Sequence, residues 1–583
     1  MKILLTTLNA RFSHTSLALR YLRGALNGVP AVTTELREYT INQETQDILQ
    51  DIFLGEYDAV CFSTYIWNVE RIAMIGRNLR KVQPDVRILL GGPEVSFDTA
   101  RFLNANPWVD GVLIGEGEET IRAVFETGFS NPEIYRLPGT AWNLNGQVAV
   151  NSKRPLISNL DSIPFPYEET DDLEHRLAYY ESSRGCPYSC RYCLSSAEEG
   201  IRHFSVERVR KDLSWFLEKR VGTVKFVDRT FNAVEKHFVP ILEFIREQDN
   251  GHTCFHLEIS AAILSKDIIE WINGFRPGLI QMEIGVQSTC TEALEVSGRP
   301  DWTARIAERV SWLHQGNNIH LHLDLIAGLP FEGFDRFMES FDGVYAMKPH
   351  LLQLGFLKLI RGTELRERSE EFGYTWTEEA PYEVLSSKWI SYGETLRLKR
   401  LEHVLETVHG SGRFPETLKL IEALYIRPSE LYLALTEWFE NQAFFERPHS
   451  AEAPYLWLYA FGVENGLNPP TLRTALRLDL VRHYKPRSHR GTVLEGYEAD
   501  KGLLHELLHK QEGFTGQFSA CYGVAVKQLM KELHFEILPN PDDGEDAIWV
   551  FDIQKRPSEL LTILTLSFAK KLVEAGKTDS LVK

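Results

Sequence analysis

The sequence predicts an α/β protein in three parts: an N-terminal doubly wound parallel sheet, a partial (β/α)6 barrel, and an all-α C-terminal region. Three observations carry this. Short β-branched runs alternate with segments of helical period over residues 1–126, the pattern of parallel strands joined by crossover helices. The alternation restarts at Tyr179 and repeats six times in roughly 190 residues, short of the eight units that close a full TIM-type barrel. Beyond about residue 375 strand signals fade and amphipathic helical patterns dominate.

The first sheet is expected from runs at 2–7, 32–37, 59–63, 86–90 and 111–114, with helical stretches such as 17–26 and 69–82 between them. In such a sheet the ligand crevice lies at the carboxyl ends of the strands. Those ends read Asn9-Ala-Arg-Phe-Ser-His14, Thr64-Tyr-Ile-Trp-Asn68, Gly91-Gly-Pro-Glu94 and Gly115-Glu-Gly-Glu-Glu119. Asn143-Leu-Asn-Gly146 is a hairpin turn signal, and Ile163-Pro-Phe-Pro-Tyr167 a stiff extended connector. Barrel strands are expected at 179–183, 223–228, 254–260, 279–286, 319–326 and 351–359, with helices such as 206–219, 267–273 and 334–347. In the tail, 418–424 and 429–441 have helical period, and Pro469-Pro470 marks a break. The domains are thus expected at 1–130, 131–172 (a linker with a hairpin), 173–375 and 376–583.

The bulk numbers set bounds. A chain of 583 residues is too long for one domain, and its composition, 43% hydrophobic and 25% charged, is that of a folded globular protein. A net charge of -18 argues against a broad electrostatic grip on nucleic acid. The opening Met-Lys-Ile-Leu-Leu reads as a first strand, not a secretion signal, and no run of 18 apolar uncharged residues predicts a membrane span, so a cytoplasmic protein is expected. Seven cysteines are too few for a disulfide scaffold in a chain this long. Cys61, Cys254, Cys290 and Cys521 are scattered and read as small buried apolar residues.

Three cysteines are clustered, in Glu181-Ser-Ser-Arg-Gly-Cys186-Pro-Tyr-Ser-Cys190-Arg-Tyr-Cys193, directly after the first barrel strand. Three thiolates at this spacing suit three corners of a 4Fe–4S cluster. The fourth iron is then left open to a substrate. Gly185 suits backbone wrapped closely on a cofactor. The alternatives are a zinc site, for which His203 is a fourth ligand within reach by sequence, a disulfide with one cysteine left over, and coincidental buried cysteines.

These residues resemble the radical S-adenosylmethionine superfamily, whose signature is Cys-x3-Cys-x2-Cys with an aromatic residue, here Tyr192, before the last cysteine. The resemblance covers roughly residues 175–365 and is similar in detail to the oxygen-independent coproporphyrinogen dehydrogenase branch. It implies that Glu258 on strand three, Gln287 and Arg299 after strand four, and Asp324 on strand five hold S-adenosylmethionine. The residue types suit the ligand: an ammonium wants Glu, a carboxylate wants the Arg fork, and ribose hydroxyls suit Gln and Asp. Taken singly, each residue also reads as an ordinary polar group at a strand end. One departure is the missing Gly-Gly-Glu after strand two, where Asp228 of Phe-Val-Asp-Arg-Thr-Phe-Asn stands instead as the candidate amino-group contact.

The N-terminal part resembles the Rossmann-like cobalamin-binding domain that precedes the radical barrel in one large subgroup (class B). This rests on Gly91, Gly92, Pro93 and Glu94, on Gly115, Glu116 and Gly117, and on the parallel order. The resemblance implies cobalamin, with Ser63 and Thr64 beside its nucleotide tail. The His-bearing motif Asp-x-His-x-x-Gly is absent and His14 lacks its context, so a lower cobalt face without His is implied, with Trp67 and Asn68 packing beneath the corrin. A flavodoxin-like domain binding a nucleotide or nothing is the alternative reading. The tail resembles an uncharacterised helical extension found on some cobalamin–radical proteins. Its aromatic runs at 437–445 and 455–461 read as core, and Arg482, Lys485, Arg487 and Arg490 as a solvated surface.

Together these features imply a radical enzyme, expected to be a methyltransferase. It cleaves S-adenosylmethionine reductively, takes electrons from an external flavodoxin- or ferredoxin-type donor, and methylates an unactivated carbon of a small molecule. A non-methylating cyclisation or rearrangement on the same cofactors, and a cobalamin- or redox-sensing regulator without turnover, stand as alternatives.

Overall fold

Seven of the eight residues of the first strand, β1 (Lys2–Asn9), are buried, as a strand covered on both faces requires. The computed structural model describes residues 1–144, 146–197, 200–483, 492–495, 508, 525–539, 545–554 and 559–565. Its backbone divides into two units, Met1–Leu396 and Arg397–Lys583.

In the first unit, β1, β2 (Thr33–Thr40), β3 (Ala59–Ser63), β4 (Arg87–Gly91) and β5 (Gly111–Leu113) form a parallel sheet in the order β2-β1-β3-β4-β5. Alternation along β1 divides the core: Ile3 and Leu5 pack with Leu19 and Leu26 on one face, and Leu4 and Leu8 pack with Ile48 and Ile72 on the other. The helix Leu17–Leu26 starts where Ser16 accepts a hydrogen bond from the Leu19 amide. The order reverses between β1 and β3, which places the crevice at their carboxyl ends.

The hairpin expected in a linker belongs instead to this sheet. β6 (Thr140–Leu144) pairs antiparallel with β5, and β7 (Gln147–Val150) with β6. The cause is Trp142, which is 2% exposed and meets Phe129 and Tyr135 edge-on. A linker would leave that ring in water.

The second sheet holds β8 (Leu177–Tyr180), β11 (Thr223–Phe226), β12 (Cys254–Ile259), β13 (Ile280–Gln287), β14 (His320–Ala327) and β15 (Leu351–Phe356), all parallel and in chain order. Six strands leave β8 and β15 as edges, as an open barrel must. On β13, Ile280, Met282, Ile284 and Val286 are buried while Gln281, Glu283, Gly285 and Gln287 take the other face. Apolar residues thus serve the helical layer and polar ones the concave interior. Between β8 and β11 a short antiparallel pair, β9 (Ser183–Gly185) and β10 (Ile201–His203), encloses the cysteine segment. A second pair, β16 (Thr375–Trp376) and β17 (Val384–Ser386), follows the barrel.

The second unit is helical to residue 483, as expected, and its aromatic runs supply core: Phe439, Phe444, Tyr455 and Phe461 are buried. It then adds an antiparallel sheet that the all-α expectation lacked, β18 (Leu533–Pro539), β19 (Asp546–Asp552) and β20 (Glu559–Thr565). The run Ala-Ile-Trp-Val-Phe within β19 is too short and too uniformly apolar to separate strand from buried helix by period. Arg477 and Glu536 form a buried two-point ion pair, at 2.7 and 3.1 Å, between the helix Pro469–His483 and β18. Arg482 meets Glu416 at 3.2 Å; Lys485, Arg487, Arg490 and Cys521 lie outside the described residues. Among the described residues no helix is long and apolar enough to cross a membrane.

Candidate functional site

The chain leaves β8 at Tyr180 and enters the cysteine loop under the control of one buried carboxylate. Asp228, 1% exposed, accepts hydrogen bonds from the Ser182 amide (2.9 Å), the Ser182 hydroxyl (2.7 Å) and the Ser183 hydroxyl (2.6 Å). Its oxygens are spent on the loop entry, so the structure removes Asp228 from the candidate ligand contacts. Gly185 has φ +95°, and a Cβ there would lie 2.1 Å from the Gly200 carbonyl oxygen. Its close approach is to the β9–β10 pairing, not to a cofactor surface as expected.

Beyond Gly185 the loop leans on the C-terminal end of the helix Thr291–Val296. The Arg191 amide donates to Ser297 O (3.0 Å) and its guanidinium to Val296 O (2.9 Å). Cys190 is buried; Cys186 and Cys193 are half-buried. Arg299 links loop and strand, with its Nη1 3.7 Å from Cys190 Sγ and 3.3 Å from the Tyr192 hydroxyl and its Nη2 2.7 Å from Gly285 O. Burial pushes the Cys190 thiol up, and the Arg299 charge opposes it. A single zinc holds its sulfurs at about 2.3 Å and so within about 4.6 Å of one another. Among the described residues the three thiols do not form a group of ligand atoms within 4.8 Å, and none is in a disulfide. The donor set fits a larger cluster with three thiolate corners.

The loop overlooks a pocket at the carboxyl ends of the barrel strands. Cys190, Glu258, Gln287, Arg299 and Asp324 all line it, so three expected strand-end residues, the arginine expected after strand four and one thiol converge. It also takes Tyr188, Arg229, Thr230, Ser260, Glu283 and Trp302, which the sequence reading did not single out. For Glu283 the period-2 pattern of β13 was the available signal, since it shares the inward face with Gln287. Gln287 itself sits at φ +72° where the β13–β14 register shifts, a strained backbone of the kind held at functional sites.

The pocket's charges are unequal. Among the described residues no hydrogen bond or ion pair is made to the Glu258 carboxyl, and burial together with the charge of Glu283 pushes it up to about 7. Burial also raises Asp324, against His322. For Glu283 burial acts upward too, but His256 and Lys225 take it down to about 2. Lys225 Nζ lies 2.8 Å, and His256 Nε2 3.0 Å, from the same Glu283 oxygen. His256, Glu283 and His322 bring ligand atoms within 4.8 Å of one another, yet the Lys225 ammonium already stands where a cation would neutralise that carboxylate. The interior is therefore a charge network that fixes a negative Glu283 beside Glu258.

In the N-terminal crevice several candidates prove to be structural. The Thr64 hydroxyl donates to Gly91 O (2.7 Å) and Thr64 is fully buried beside Ser63. Asn68 donates to Thr7, Leu8 and Ser63 and accepts from the Tyr65 amide, so it is not available beneath a ligand. Trp67 is: it is 45% exposed and stacks on Tyr65 at 4.4 Å. His14 leans edge-on against Tyr179 at 5.9 Å. Glu94, which follows Pro93, is buried and meets Arg361 (3.2 Å) and the Tyr382 hydroxyl. Glu116 is held by Arg184 (3.0 Å), Arg202 (2.8 Å) and the Ile157 amide (2.7 Å). Both carboxylates therefore tie the sheet to the barrel, which accounts for their burial without a ligand. Gly117 caps the helix Glu118–Thr127 against Leu22, while nothing lies within 4 Å of the Cβ position of Gly115.

Gly92 has φ +107°, and a Cβ there would stand 2.4 Å from Thr64 O. Gly92→Ala is expected to cost about 2–4 kcal/mol from strain and overpacking together, read as a lower thermal midpoint.

Residues 3–125 match the family described as B12 binding domain, residues 180–343 the radical SAM superfamily, and residues 370–543 a family described as protein of unknown function (DUF4080). The chain is 25% identical over 366 residues to the cobalamin-dependent radical SAM methyltransferase TokK of Streptomyces tokunonensis, covering 56% of this chain and 54% of that one. It is 22% identical over 335 residues to the anaerobic magnesium-protoporphyrin IX monomethyl ester cyclase of Rubrivivax gelatinosus, covering 54% and 57%. The chain thus spans about half the length of these curated relatives. Its fold resembles that of the cobalamin-dependent S-adenosylmethionine radical enzyme OxsB, solved with aqua-cobalamin bound, with a TM-score of 0.59 at 15% identity over 82% of this chain and 79% of that one. A B12 binding domain followed by a radical SAM domain defines the class, and the chain carries both domains of the cobalamin-binding radical S-adenosylmethionine proteins. Its C-terminal extension is the DUF4080 region.

Proposed function

We propose that the protein is a cobalamin-dependent radical S-adenosylmethionine enzyme that transfers a methyl group to an unactivated carbon of a small molecule. The reading is carried by one observation: a three-cysteine loop overlooks a pocket that Cys190 shares with Glu258, a half-buried carboxyl with no hydrogen bond or ion pair among the described residues. Cys186, Cys190 and Cys193 would hold a 4Fe–4S cluster. Gly91, Gly92, Gly115 and the exposed Trp67, backed by Tyr65, would receive cobalamin, with no His beneath it. When bound, the cluster supplies the electron that cleaves S-adenosylmethionine, and cobalamin supplies the methyl group.

The chain's own part is to bind and orient. An ammonium supplies the positive charge that Glu258 lacks, and its arrival lets that carboxyl ionise. Gln287 and Asp324 offer acceptors for ribose hydroxyls. Arg299 keeps the cysteine loop against β13; to take a carboxylate it exchanges its bonds to Gly285 and Tyr192. Asp228 acts one step back, holding the loop entry. An external flavodoxin- or ferredoxin-type reductant, a cytoplasmic setting and the division 1–130, 131–172, 173–375 and 376–583 complete the proposal, the hairpin of the second segment being paired to the first sheet.

The test is anaerobic reconstitution with iron, sulfide and hydroxocobalamin, followed by dithionite and S-adenosylmethionine. 5′-Deoxyadenosine and methionine are expected. Full cofactor loading without deoxyadenosine would overturn the proposal. The relationship to a cyclase favours a second reading, a ring-forming reaction; a product mass without an added methyl would select it.

A further inference from the structure

The cysteine segment hangs between β9 and β10, and each of those strands sends one arginine to the same loop of the B12 binding domain. Arg184, two residues before Cys186, places Nη1 3.0 Å from Glu116 and Nη2 2.5 Å from Glu118. The same guanidinium reaches Glu181 at 2.8 Å. Arg202 grips both Glu116 oxygens, at 2.8 and 3.2 Å, and donates to Ile157 O at 2.6 Å. The side chains of Arg184, Glu116, Glu118 and Glu181 are each 10–13% exposed, far from the solvated pairs that contribute little. Glu116 lies in the turn that follows β5 and Glu118 opens the helix Glu118–Thr127, on either side of Gly117 and next to the open space at Gly115.

We propose that Arg184 and Arg202 are positioning residues that register the cysteine loop against the B12 binding domain, so that this knot sets the separation of the two cofactors. The proposal rests on the function above. Two guanidinium groups from the two strands at the base of one loop meet at one carboxylate, which fixes both the distance and the tilt of that base. A single rim contact would fix neither. Bidentate guanidinium–carboxylate pairs supply directional geometry that an ammonium cannot. A few residues then separate the cobalamin-facing edge at Gly115 from the first cluster cysteine.

The readout is the distance distribution between cob(II)alamin and the reduced cluster, measured by pulsed electron paramagnetic resonance on the reconstituted full chain. The wild type is expected to give one narrow distribution. Arg184→Lys, which keeps a charge but not the fork, is expected to hold iron and cobalt yet give a broader, shifted distribution. The pair Arg184→Gln with Glu118→Gln removes one charge of each sign and so limits the number of stranded buried carboxylates; it is expected to broaden the distribution further. A distribution unchanged in either variant that holds both metals would overturn the assignment. If the wild type takes up iron but no cobalt, the functional reading fails and the inference with it, a result distinct from unchanged width.

Discussion

Replacing Cys186, Cys190 and Cys193 together with Ala is expected to lower iron from about four atoms per chain to background and to abolish deoxyadenosine formation. The fold should survive, because each change is a small apolar substitution. Cys190 is the buried member, Cys186 and Cys193 are half-buried, and exchanging one small group for another costs on the order of 1 kcal/mol per site. Cobalamin uptake should persist, since the loop lies in the barrel and the cobalamin surface in the preceding sheet. The control is Cys61→Ala with Cys290→Ala, two buried thiols at 4% and 3% exposure and remote from the loop in sequence, which should leave iron unchanged. Iron that remained in the triple variant would remove the basis of the function.

Part of this site was legible in the sequence, from the cysteine spacing and from the resemblance that goes with it. The resemblance singled out Glu258, Gln287 and Asp324, and hydrophobic period sets the strand ends that bring them to one end of a parallel sheet. The same reasoning failed wherever a polar residue's partner lies far along the chain. Glu94 meets Arg361 267 residues away, and Glu116 meets Arg184 68 residues away. Nothing near Glu94 or Glu116 separates a carboxylate that faces a ligand from one that ties two domains. Asp228 misled for the same reason. It occupies the right strand end, but Ser182 and Ser183, 46 and 45 residues earlier, claim its oxygens. The hairpin at 140–150 was legible as a hairpin. Its membership of the first sheet was not, because that depends on where Trp142 finds its cover.

These distinctions lead to the most discriminating expectation, that Glu258→Gln stabilises the ligand-free protein while abolishing its tight hold on S-adenosylmethionine. In the unfolded chain Glu258 titrates in the ordinary carboxylate range; in the folded protein burial and Glu283 push it up to about 7. The folded state therefore binds the proton more tightly, and stability falls as pH rises from the ordinary range through 7. The loss reaches about 3 kcal/mol above that pH. Gln has no charge to bury, so the variant should unfold at a higher temperature than wild type at pH 8 and at nearly the same temperature at pH 4. Binding should move the other way. Wild-type affinity, measured by equilibrium dialysis on the cluster-loaded protein, should fall about tenfold for each pH unit below 7 as the carboxyl protonates. The variant should lose about 2–4 kcal/mol at pH 8, roughly 30- to 1000-fold, with a flat pH profile. A carboxyl with no part in binding would show the stability effect alone, and a Gln variant that binds normally at pH 8 would exclude Glu258 from the site. Opposite signs for stability and affinity at one side chain are what a desolvated acid awaiting a cationic ligand requires.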